Sequence, residues 1–252
     1  MSLDFTPRPV PAPRGRQLRA HAAMEAGLIL RNGEQLILAL LFPMAVLIGG
    51  RYLADRLGLG FQELAPSVLA MVMWSSGLTT LAISTGFERR YNVLERLTAT
   101  PLGKEGILAG KGLSIAMITL GQVVVLAGTA LALGWRPVLS PLAGLVALVV
   151  ALLAMGAFTG LGLAMAGSLR PETTLALANV AYLGGLPLGI LLPLTALPSW
   201  AQLPVSLLPT AALGETFRAA SRGDVVVVPI LVTAAWCVLA AWLARKVFRW
   251  TS

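Results

Sequence analysis

The sequence predicts an all-α membrane protein with six transmembrane helices and both termini in the cytoplasm. Three observations predict it: a composition too apolar for water, six long uncharged runs, and a lopsided distribution of Lys and Arg among the loops. Of 252 residues, 57% are apolar and 12% charged, against roughly a quarter charged in soluble domains. The mean hydropathy is +0.81. One or two soluble domains would suit the length, but the apolar runs recur too often and extend too far for that reading.

A hydrocarbon core about 30 Å thick needs roughly 20 uncharged helical residues per crossing. Runs near 34–50, 64–87, 113–134, 141–168, 174–196 and 225–244 approach or meet that length. The first carries Pro43 and is short over its apolar part, 36–50, so it borrows turns from 33–35. The apolar parts of all six lack Asp, Glu, Lys, Arg and His. A central charge costs about 2.5–3.5 kcal/mol on insertion scales, so that absence is what spanning helices require.

The formal charge of +8 raises the question of nucleic acid, and the placement of the charges answers against it. Fourteen of the 19 Lys and Arg fall before the first run, in 88–112, at Arg170 or after the last run. Five, Arg51, Arg56, Arg136, Arg218 and Arg222, fall on the other side. Cytoplasmic loops carry the excess of cations, which puts both ends and the loop 88–111 in the cytoplasm.

Residues 1–15, with Pro7, Pro9, Pro11 and Pro13 at every second position, favour an extended tail without a core. No cleavage site follows the first apolar run, which argues against a signal peptide. From 16 to 31 a basic helix gathers Leu18, Ala22, Met24, Leu28 and Ile29 largely on one side, the pattern of a helix lying in the membrane interface; the alternative is a plain extension of the first span. In the second run Ser76, Thr80 and Ser84 repeat at every fourth position, which reads either as a packing seam or as a wet wall. Gly156 with Gly160, and Gly162 with Ala166, suggest close helix approach. In the fifth run Asn179 and Tyr182 are the main polar groups, and Gly184, Gly185, Pro187, Gly189 and Pro193 predict an interrupted helix. A break frees backbone groups that neighbouring protein or a wet cavity must satisfy, making this a candidate pathway wall. Segment 197–224 is too apolar for an ordinary loop; it reads as short re-entrant helices on the outer side, anchored by Trp200, while Trp242 and Trp250 mark the inner end of the last span.

The sequence offers no engine. Gly106, Gly110 and Lys111 lie one residue too close for a phosphate loop, and Gly112 stands where a magnesium-holding Ser or Thr belongs. Ion-coupled carriers place ionisable groups inside the bundle, and enzymes need paired acids, an activated nucleophile or metal ligands. The apolar runs have none of these. Cys237 reads as a packed or lipid-facing hydrophobe, and His21 as a solvated or interfacial residue. No cofactor is expected on this chain, and energy has to come from a partner.

The handle for that partner is the loop 88–111, ERRYNVLERLTATPLGKEGILAGK. On one helix, Phe87, Tyr91, Leu94 and Thr98 fall on a greasy face, Glu88, Asn92 and Glu95 on a second, Arg89 and Arg96 on a third. Thr100 and Pro101 end it, because the residue before proline is pushed out of the α region. The plainer alternative is a charged loop that only fixes topology.

This loop, with Glu88-Arg89 followed by Arg96-Leu-Thr-Ala-Thr-Pro-Leu102, resembles the segment between the second and third spans of ABC-2 type transport permeases, including the daunorubicin-resistance group. Segment 197–218, LPSWAQLPVSLLPTAALGETFR, is similar to the family's outer segment before the last span. The resemblance implies the family's six-span fold, of the type V exporter kind. It further implies a homodimer or heterodimer of permeases and two ABC ATP-binding subunits that hold the ATP and magnesium. Glu88, Arg89, Arg90, Tyr91, Glu95, Arg96, Thr100 and Pro101 are then the expected contacts to the ATPase. By the same resemblance the second and fifth spans line the pathway, with Ser76, Thr80, Asn179 and Tyr182 as candidate wall residues. Expected partners are therefore the ATPase, a second permease, the lipid bilayer and a small-molecule cargo, with no nucleic acid. The expected function is export of a hydrophobic or amphipathic drug or antibiotic across a bacterial plasma membrane. A lipid or polysaccharide exporter is the close alternative, and a non-transporting scaffold or sensor the one of another class.

Overall fold

A computed structural model describes residues 12–31, 33–53 and 60–250. The proline-rich stretch through residue 11, and Arg56 of the minority cations, lie outside the described residues. Among the described residues every regular element is helical. α1 (Arg14–Arg31) and α2 (Gly33–Leu53) lead into α3 (Phe61–Arg90), which contains a π-helical turn at Ser75–Thr80. A short α4 (Val93–Thr98) precedes α5 (Gly103–Ala132), α6 (Pro141–Ser168) and α7 (Pro171–Ile190). Two short helices, α8 (Ser199–Ser206) and α9 (Pro209–Ser221), connect to α10 (Val228–Val247).

Five helices, α3, α5, α6, α7 and α10, are long and apolar enough to cross a bilayer. α2 takes the place expected of the first span and is apolar over Ala39–Leu53. The chain is a multi-pass membrane protein. Helix starts follow local sequence: Ser140 caps α6 by accepting from the Ala143 amide at 3.4 Å, with Pro141 in the first turn, and Pro171 stands in the first turn of α7, without a side-chain cap.

α3 is the most enclosed of the five long apolar helices, touching α2, α5, α6, α7 and α9. The Trp74 and Phe158 rings meet edge to face at 4.8 Å beside its π turn, an arrangement favoured by the ring quadrupole. The small residues of α6 serve two different neighbours. Gly156 and Gly160 face α10, where a Cβ on Gly160 would lie 2.9 Å from the Ala240 Cβ. Gly162 faces α3, where a Cβ would lie 2.9 Å from the Leu78 carbonyl oxygen. Without a hydrophobic drive inside lipid, such close backbone approach is a principal source of helix association.

Three expectations are revised. The loop predicted over 88–111 contracts, because α3 runs to Arg90 and α5 already begins at Gly103; Lys104 and Lys111 are therefore helical. The Ser76, Thr80, Ser84 stripe is split, because the wide turn at Ser75–Thr80 changes the register between its members. On α1 the packed face is His21, Ala22, Glu25 and Ala26, set against α5, while Met24 and Leu28 are exposed. Gly110 permits that approach, since its Cα lies under the His21 ring.

Candidate functional site

The last turn of α3 carries Glu88, Arg89 and Arg90, and each is held differently. Glu88 ion-pairs with Lys111 of α5, whose Nζ also lies 2.9 Å from Glu25 Oε2 of α1. Lys111 is 1% exposed. Two carboxylates therefore surround one buried ammonium and tie three helices together. His21 Nε2 stands 3.7 Å from the other Glu25 oxygen. Arg89 is buried and donates from Nη2 to the Leu169 carbonyl, in the link between α6 and α7. Arg90 is exposed and pairs with Glu172 in the first turn of α7. Mutating that exposed pair, R90A or E172A, is expected to change stability by less than about 1 kcal/mol in thermal melts.

Beyond Arg90 the chain turns sharply. Asn92 adopts the left-handed conformation, φ 57°, the one non-glycine residue with positive φ among those described. Asparagine tolerates this region better than most residues. The single greasy face expected on a continuous helix is therefore not formed: Leu94 is fully buried whereas Tyr91 is 66% exposed. Leu94 anchors α4, and Glu95 and Arg96 project from it to the surface. Thr98 and Thr100 turn their hydroxyls back on the Glu95 and Leu97 carbonyls at 2.6 and 2.7 Å. Thr100 and Pro101 are exposed, and Gly103 at φ 70° starts α5. Of the expected contact residues, Arg90, Tyr91, Glu95, Arg96, Thr100 and Pro101 thus share one exposed end of the molecule, while Glu88 and Arg89 are its internal fastenings.

The four wall candidates do not gather in one cavity. Ser76 is buried and donates to Gln122 Oε1 of α5 at 2.8 Å. Thr80 is half-buried one turn on. Asn179 is exposed and returns its amide to the Leu175 carbonyl at 3.0 Å. Tyr182 is half-buried beside Phe42, with ring centroids 6.4 Å apart.

The interruption predicted in the fifth run is present. Leu188 leaves helical geometry and Gly189 takes φ 90°. Neighbouring protein satisfies the freed groups: Thr210 donates to the Leu188 carbonyl at 2.9 Å, and Arg218 donates to those of Gly189 and Ile190, each at 2.8 Å. Arg218 is 1% exposed, although its place in the sequence suggested a solvated outer cation.

Sequence reasoning missed Glu25, His21 and Lys111 as a group, and Arg218. The available signals were Glu25 as the sole acid of α1, spaced one turn from His21, and the Glu215-x-x-Arg218 spacing within an apolar segment. Burial holds the His21 pKa below its ordinary value of 6.5, outweighing the attraction of Glu25, and Lys111 pushes the same way. The unfolded chain therefore takes up this proton first as pH falls below 6.5, so stability is level above that value and declines beneath it. Melting temperatures taken from about pH 7.5 down to about pH 5.5 are expected to fall less in H21Q than in wild type.

The family profile described as ABC-2 family transporter protein matches residues 51–246. The chain belongs to the ABC-2 transporter family. A search of curated proteins finds no match. The ABC-2 match makes this chain a permease, the membrane component of an ABC transporter. It covers everything from the end of α2 to the last turn of α10. In this ABC-2 permease Glu88 and Lys111 lie inside the matched region, whereas their third partner, Glu25 on α1, lies before it.

Proposed function

We propose that this ABC-2 permease is one of two membrane subunits, identical or related, of an exporter in a bacterial plasma membrane. It crosses the bilayer six times with both ends inside, α2 providing the first crossing. ATP and magnesium are bound by separate ATP-binding subunits that dock on α4. The observation that carries this reading is the contrast between α4 and its flanks. The surface of Tyr91, Glu95 and Arg96 is open, while Glu88 is fastened to Lys111 of α5, Arg89 to the link between α6 and α7, and Leu94 is fully buried. A push on α4 is therefore transmitted to the body of the protein and not absorbed by a flexible loop.

A second permease is supported by Asn179. This amide is exposed on α7 among Leu175, Val180 and Leu183, also exposed. A polar group facing acyl chains is disfavoured, and amides in lipid serve as contacts between helices or line a wet path. α7 thus faces the second subunit and the pathway, with Tyr182 beside it. The lining available is uncharged, which suits a hydrophobic or amphipathic small molecule.

Co-purification of tagged permease with a candidate ATP-binding subunit tests the docking surface. Reversing both exposed charges, E95R/R96E, is expected to leave membrane insertion intact and weaken ATPase binding about tenfold, as loss of two surface ionic contacts would. Unchanged binding would remove α4 from the interface. E88K is a poor test by comparison, because it sets a second cation against buried Lys111 and so acts on the fold.

A further inference from the structure

We propose that Arg218 is a positioning residue for transport: with Glu215 it clamps the broken end of α7 against α3 and α9, and the conformational cycle proceeds by opening and remaking this clamp. The proposal rests on the exporter reading given above.

The guanidinium is the largest fully buried side chain among the described residues. Nη1 donates to Ser67 Oγ of α3 and to the Ile190 carbonyl, both at 2.8 Å. Nη2 donates to the Gly189 carbonyl and to Glu215 Oε1, also both at 2.8 Å. One fork thus joins α3, α7 and α9. Glu215 extends the joint by accepting from the Leu194 amide at 2.7 Å, just past the break. The backbones interlock at the same point, since a Cβ on Gly189 would strike Ala211, and one on Gly214 would strike the Gly189 oxygen.

Two features separate this joint from ordinary packing. An ionisable side chain within a membrane bundle is costly, and such groups mark moving or conducting parts. A hydrophobic residue of similar volume would fill the space, yet only a forked donor satisfies two carbonyls released by a helix break. The clamp also has slack: Nε is buried with no partner, and the hydrogen bonds on Nη1 and Nη2 are to acceptors on three different helices. If one helix moves, the others keep hold of part of the fork. The break at Gly189 supplies the hinge about which the end of α7 turns.

The test uses the permease with its ATPase in lipid nanodiscs. Spin labels are placed at the exposed positions Gly184 and Leu207, on either side of the clamp, in a C237A background. In the otherwise wild-type protein, ATP with vanadate is expected to shift the main label distance. In R218M the nucleotide-free sample is expected to contain the shifted population already, so that nucleotide dependence is lost. R218K, which keeps the charge but not the fork, and E215Q should fall between; they carry the same readout should R218M not survive purification. A purely structural Arg218 would lower the melting temperature and leave the nucleotide response intact, and that result overturns the clamp while the exporter reading stands. Absence of any nucleotide response in the wild-type pair overturns the exporter reading and the clamp with it.

Discussion

K111M is expected to destabilise the protein by about 3–5 kcal/mol, the usual cost of removing one partner from a buried ion pair. The ammonium is almost wholly enclosed and is the one cation shared by Glu25 and Glu88. Methionine fills nearly the same volume, so packing is preserved and the loss is electrostatic: two carboxylates are left close together without a counter-charge. Either they take up protons or the helices separate. The triple variant K111M/E25Q/E88Q removes the uncompensated charge and is expected to recover most of the loss, because replacing a whole buried ionic group is often neutral. Thermal melts in detergent read both. A K111M protein that melts like wild type would mean that water reaches this site freely.

The second large effect is expected at Gly189. Its φ of 90° lies where L side chains are rarely found, and an added Cβ runs into the backbone and side chain of Ala211. Left-handed backbone costs a non-glycine residue about 1–2 kcal/mol, and forcing an extra carbon into a packed site adds about 1–3 kcal/mol. G189A is therefore expected to lower the melting temperature by roughly 10 °C, using the 2–4 °C per kcal/mol typical of chains this size. Gly184 provides the contrast: it is helical with open space where its Cβ would go, so G184A is expected to be neutral or slightly stabilising. Equal effects at the two positions would remove the special role of the break.

Much of this architecture was legible in the sequence because lipid imposes a simple rule on it. Five uncharged runs mapped onto helices long enough to cross, and the cluster of Gly and Pro after Tyr182 announced the break that Gly189 makes. The candidate site was legible in part. The exposed Glu95 and Arg96 follow from a charged loop, but a helical wheel assumes one unbroken helix, and Asn92 in the left-handed region invalidates it. Lys111 and Arg218 were read as cations that fix orientation. Nothing local distinguishes a solvated Lys from one whose partners lie 86 residues away on Glu25 or on another helix at Glu88. Burial of charge is a property of tertiary contact, and only the assembled bundle reveals it.

The wide turn at Ser75–Thr80 sets the azimuth of everything that follows it on α3. An ordinary helix advances about 100° per residue. Deleting one residue from this six-residue stretch would let it relax into regular α geometry and swing Glu88 and Arg89 around the axis by about that angle. Glu88 would then point away from Lys111, and Arg89 away from Leu169. The first half of α3, packed against α2 and α9, would keep its place while the exposed surface of α4 aimed elsewhere. That one surplus residue is what keeps the two halves of the crossing in phase with their separate neighbours.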